Sequence, residues 1–160
     1  MHSRIFELST SPIHRKERIT SYGIPEWFCG SIADYVDDIS ESVREGELTW
    51  FVSRFGEHCS RAGDKISFGE KVKESYFAAK YRTFISSLSA ALCTLKDFSG
   101  ASEDTDLPMV MFRLQESYED RYSFYVYDHD IEELLTLDSW VRRTDLSKSY
   151  YLGGVIDYHF

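Results

Sequence analysis

One hundred and sixty residues, 42% hydrophobic and 28% charged, are enough for one compact domain with a real core and exclude a disordered chain. The formal charge of −9 excludes a nucleic-acid binder working through its whole surface, because neutralising phosphates needs a basic footprint. Eleven Tyr, eleven Phe and three Trp supply large buried area at little side-chain entropy, and surplus Tyr can serve as contact surface.

In chain order, SRIFELST (3–10) is short, β-branched and aromatic and reads as a first strand, closed by Ser11-Pro12. IHRKERIT (13–20) is polar and basic, a loop or an arm. Pro25 suits the first turn of a helix, and Phe28, Ile32, Tyr35, Val36 and Ile39 follow at helical spacing. A second helix is predicted to carry Leu48, Phe51, Val52, Phe55 and Cys59 and to end before Gly63, with DKISF (64–68) a brief strand. Ser67 and Glu70 form a capping box ahead of Phe77, Tyr81, Phe84, Ile85, Leu88, Leu92 and Leu95. This stripe predicts a long amphipathic helix over 67–96, stopping before Gly100, as the spine of the core; SGASEDTD (99–106) follows as a loop.

For 107–118 two templates compete. Alternation puts Val110, Phe112 and Leu114 on one side of a strand, but a helix accommodates Leu107, Val110, Met111, Leu114 and Tyr118, and Pro108 suits its start; helix is chosen. A strand over 122–127, a helical turn region over 131–141 and a closing strand in KSYYLGGVIDYHF (148–160) complete the chain. Along that last strand Tyr150, Leu152, Ile156, Tyr158 and Phe160 share a face expected to meet the long helix, with Tyr151, Val155, Asp157 and His159 opposite. Gly153-Gly154 marks a bulge or a close backbone approach. The expected fold is a single α+β domain over 1–160, a small antiparallel sheet packed on one face by several helices.

SRIFELSTSPI (3–13), GSIADYV (30–36) and YYLGGVIDYHF (150–160) together resemble small uncharacterised proteins of gut Firmicutes. The resemblance implies a cytoplasmic bacterial setting with a mobile-element association. It carries no activity and transfers no residue's role.

Cys29, Cys59 and Cys93 are widely spaced with no CxxC, which argues against a disulfide framework or zinc ribbon and for reduced thiols in the cytoplasm. The N-terminus lacks an apolar h-region, and no stretch approaches the roughly 18 apolar residues of a membrane span. No P-loop, dinucleotide fingerprint or G-x-S-x-G elbow is present, so no catalytic residue is assigned. Cys59 follows His58, but adjacent helical residues point about 100° apart, so Cys59 reads as a small hydrophobe.

RYSFYVYDHD (121–130) ends in acid, imidazole, acid. His129 would join Asp157 and His159 if their strands were neighbours, a set suited to Zn²⁺ or non-haem iron. Such short spacings are common at solvated strand ends, so no metal and no cofactor is assigned. Acids concentrate at Asp34, Asp37, Asp38, Glu41, Glu45 and Glu47, opposed in that stretch only by Arg44, and again over 116–133. On a continuous helix Asp34 and Asp38, Asp37 and Glu41, and Glu41 and Glu45 would be neighbours spaced like phosphates.

The leading reading is a small cytoplasmic, non-enzymatic interaction or accessory protein with an unidentified protein partner, no direct nucleic-acid binding and no membrane. Its partner contacts are expected among Asp34, Asp37, Asp38, Glu41, Tyr125, Tyr127 and Tyr151. One alternative is an acidic nucleic-acid mimic that inhibits a DNA-binding protein or nuclease. The other is a metal-dependent enzyme using His129, Asp157 and His159.

Overall fold

A computed structural model describes residues 1–96 and 107–160, so the loop predicted at 99–106 and the helix stop before Gly100 lie outside the described residues. The elements are β1 (His2–Ser9), β2 (Tyr35–Asp38), α1 (Glu41–Ser53), β3 (Cys59–Ala62), β4 (Lys65–Phe68), α2 (Val72–Lys96), α3 (Leu107–Glu116), β5 (Tyr125–Asp128), β6 (Glu133–Thr136), α4 (Leu137–Arg143) and β7 (Tyr150–His159). This is an α+β protein. The chain divides into two compact units: Met1–Ser75 with Asp120–Phe160, and Tyr76–Glu119.

In the first unit the strands form one sheet in the order β3-β4-β7-β1-β5-β6, with β2 also paired to β7. All pairs are antiparallel except β1 with β5. The central strands are the most apolar: Ile5, Phe6, Leu8, Val126, Leu152, Ile156 and Tyr158 are buried. On one face, Phe6 packs on Phe51 of α1 and on Phe124, and Trp140 of α4 meets Phe68 and Tyr150. On the other face, Ile5, Tyr125, Ile156 and Tyr158 are covered by Ile24, Phe28 and Ala33 from the irregular segment between β1 and β2.

The two faces are set by a bulge. Phe6 pairs with Val155 and Leu8 with Leu152, so two residues of β7, Gly153 and Gly154, stand opposite Glu7 alone. Glu7 is fully buried. Its Oε2 accepts the N–H of Gly154 at 2.6 Å and that of Ile19 at 3.0 Å, and its Oε1 lies 3.0 Å from His129 Nδ1. The bulge also shifts the alternation of β7, which corrects the predicted shared face. Tyr150 turns to Trp140 and Phe68, while Ile156 and Tyr158 turn to Ile5, Ile24 and Phe28.

Three further corrections concern helices. Phe28 to Ile39 is no helix: Ile32 and Ala33 both donate to the Phe28 carbonyl in a turn, and Tyr35–Asp38 pairs with β7. The β7 backbone needs a partner along that edge, and this outweighs the 3.6-residue spacing. Ser67 does not cap α2. It lies in β4, its hydroxyl 2.9 Å from that of Ser149, and α2 starts at Val72 after Phe68 has filled the space between Phe55 and Trp140. The second helix runs over Glu41–Ser53, so Cys59 is a strand residue; Gly56, at φ 56°, makes the turn between them. The predicted turn region of 131–141 resolves into β6 and α4, which Thr136 caps by accepting the N–H of Ser139.

In the second unit α3 is the predicted helix. The α2 stripe is not a core spine: Ala91 is buried, while Tyr81, Ile85, Leu92 and Leu95 are exposed.

Removing Glu7 separates the carboxylate's roles. Glu7→Ala orphans two buried N–H groups, each costing about 1–3 kcal/mol, and should destabilise by roughly 3–5 kcal/mol in chemical denaturation. Glu7→Gln should cost less, since an amide oxygen can still accept both. A Cβ on Gly154 would stand 2.7 Å from the Ile19 carbonyl, so Gly154→Ala should lose about 1–3 kcal/mol or more. Equal stability of the wild type and Glu7→Ala would show that the bulge needs no carboxylate.

Candidate functional site

The parallel strands β1 and β5 end together, and the polar groups there interlock. His129 Nδ1 faces buried Glu7, while the imidazole itself is about half exposed. One residue on, Asp130 accepts the Ser9 hydroxyl at 2.6 Å and the Thr10 N–H at 2.8 Å. Asp128 is buried and accepts the indole N–H of Trp140 and the N–H of Asp130, both at 3.1 Å. Burial pushes the Asp128 carboxyl above the usual range, against those hydrogen bonds. Burial acts in the same direction on Asp130, but the bonds from Ser9 and Thr10 outweigh it and hold that carboxyl below the usual range. The end of RYSFYVYDHD thus closes the strand pair through hydrogen bonds to β1 and α4.

The candidate metal set does not assemble. Asp128 is level with Leu8, and Leu8 with Leu152, whereas His159 is level with His2. At about 3.3 Å per residue, His129 lies roughly 20 Å along the sheet from His159. Asp157 and His159 instead meet β1: His2 Nδ1 is 2.8 Å from Asp157, which also pairs with Arg4, and the His2 and His159 rings are 5.0 Å apart. Among the described residues, no group of three or more His, Cys, Asp and Glu side chains is arranged to hold a metal ion.

The acids of 34–47 do not form one helical row. Asp34 faces His159, Asp38 accepts the Ser21 N–H at 2.6 Å, and Asp37 accepts the Asp38 N–H. Glu41 is bound by Arg18 at 2.9 Å, Glu45 by Arg61 at 2.8 Å, and Glu47 by Arg4 at 3.0 Å. The hydrogen bond from Arg18 holds the Glu41 carboxyl below the usual range. Buried Arg44 does more than oppose acids. β4 pairs with β7 only at Tyr150 and Tyr151, and β2 only from Ile156 onward. Arg44 donates to the Leu152 and Gly153 carbonyls between them, at 2.9 and 2.8 Å, and to Asp64 at 3.0 Å.

Among the candidate contact tyrosines, Tyr125 is a correction. It is buried, its hydroxyl donates to the Arg121 carbonyl, and burial pushes its pKa up to about 12. Tyr127 and Tyr151 are half-buried, and Asp34, Asp37, Asp38 and Glu41 are exposed. Cys59 is half-buried and desolvation raises its thiol to about 11, so it carries little thiolate. Sequence reasoning missed Glu7, Arg44 and His2. For Glu7 a signal existed: it shares the alternation phase of Ile5 and belongs to the same short strand.

The second unit holds a groove of about 360 Å³ lined by Phe84, Met111, Leu114, Gln115 and Tyr118. Its floor includes the Phe84 and Tyr118 rings, 5.3 Å apart. Leu107, Met111 and Phe112 of α3 are exposed. No protein-family model, curated protein or solved structure matches the chain.

The two neighbouring aspartates should titrate on opposite sides of the ordinary Asp value of about 3.9, read from side-chain carboxyl shifts by NMR. Asp130, held low, adds stability above the unfolded-state pKa that is lost as pH falls through its folded-state pKa. Asp128, held high, has the opposite sign: its charged form opposes folding once pH has risen through its folded-state pKa. Coincident titrations would contradict this arrangement.

Proposed function

We propose that the chain is a small non-enzymatic interaction protein that engages a protein partner through the apolar surface of its helical unit. The observation that carries the reading is α3, a ten-residue helix on which Leu107, Met111 and Phe112 are exposed and whose Met111 and Leu114 line an apolar groove. Soluble proteins seldom leave such residues clustered unless something covers them, and flexible Met side chains adapt to a partner's relief. The acids favour this reading over a nucleic-acid mimic, because Glu41, Glu45 and Glu47 are already paired with arginines of the same chain. The separation of His129 from Asp157 and His159 weighs equally against a metal-dependent enzyme built on those three.

The test is affinity capture from the native host with three baits: wild type, Met111→Glu/Phe112→Glu and Asp34→Lys/Asp37→Lys. All four positions are exposed, so the fold should survive, which circular dichroism checks. One partner should be captured by wild type and by the lysine variant, and at least tenfold less by the glutamate variant. Equal capture by the glutamate variant would remove the helical surface from the reading. Loss in the lysine variant alone, with a nuclease or DNA-binding protein as prey, would move it to the acidic mimic.

A further inference from the structure

The register of β1 against β7 sets His2 opposite His159, and their rings lie 5.0 Å apart at 72°. We propose that these two imidazoles form a binding site for a divalent transition-metal ion of the zinc class, coordinated through their Nε2 atoms. The first support is the carboxylate behind each ring: Asp157 lies 2.8 Å from His2 Nδ1, and Asp34 lies 3.2 Å from His159 Nδ1. A carboxylate that accepts a hydrogen bond from Nδ1–H fixes the tautomer and the ring plane, and it raises the basicity of Nε2, as behind metal-bound histidines.

Spacing is the second support. With a metal–nitrogen bond of about 2.0–2.1 Å, a ring centre lies about 3 Å from the ion, and a tetrahedral angle then separates two ring centres by about 5 Å. The observed ring-centre separation of 5.0 Å is of that size. The rings are also braced: Tyr35 stacks on His159 at 5.1 Å and 4°, and Asp157 is tied to Arg4, which in turn binds Glu47. Both imidazoles are open to solvent, His2 by about half. Two protein nitrogens leave the remaining positions to water, so the expected site is open and exchangeable, and no reaction is assigned to it.

Isothermal titration of untagged protein with zinc chloride tests the proposal. It is done in a Cys29→Ser/Cys93→Ser background, because those exposed thiols would compete for zinc. One zinc should bind per chain. His2→Gln and His159→Gln should each weaken binding at least tenfold, Asp157→Asn about tenfold, and His129→Gln not at all. His2 is half exposed, so its variant keeps the fold even if the His159 variant does not. Absence of saturable binding, undiminished binding in His2→Gln, or an equal loss in His129→Gln would each overturn the site.

Discussion

A carboxylate with no solvent exposure stands at the centre of the sheet, and the surrounding geometry follows from the need to satisfy it. Glu7 faces the extra residue of the β7 bulge and accepts the N–H that the bulge removes from the ladder. Its same oxygen accepts the N–H of Ile19, which fastens the segment before β2 across the sheet. A buried charge without such partners would cost several kcal/mol. Side chains at 153 and 154 would collide with the carboxylate and with Ile19, which is why two glycines stand there. The bulge then turns Ile156 and Tyr158 towards Phe28, so the second face of the sheet acquires its own core.

The same economy governs charge. A chain of net charge −9 presents its acids to its own arginines: Arg4, Arg18 and Arg61 hold Glu47, Glu41 and Glu45. Arg44 completes an edge that two short strands cover incompletely, where a guanidinium can reach adjacent carbonyls that a third strand would otherwise take. Surface charge here therefore serves the fold first. The second unit contrasts with this, leaving the apolar Met111 and Phe112 of α3 exposed.

Imidazoles divide between the two ends of the sheet for a topological reason. His129 follows β5, which runs parallel to β1, and so lies at the end of β1 that carries Ser9; His159 closes β7, which runs antiparallel, and so lies beside His2. At the first end a buried glutamate holds one ring. At the second, two aspartates hold two adjacent rings.

Patterns confined to one element were legible in the chain. The first and last strands, the brief strand before α2, the helix of 107–116 and the glycine bulge all rest on local spacing or on backbone freedom, and the α+β class follows from them. Ser67 and Phe28–Ile39 show where that legibility stopped. Each segment carries a sound helical signal, worth about 1 kcal/mol or less, and each was taken by a sheet edge whose backbone groups had to be paired. The sites depended more heavily on the fold. Composition determined that the protein would be aromatic and acidic, and spacing drew attention to Asp157 and His159. Strand order and direction alone decided that His2, 157 residues away in the chain, and not His129 would stand beside His159, because which residues meet across a sheet is set by register and by nothing within either strand.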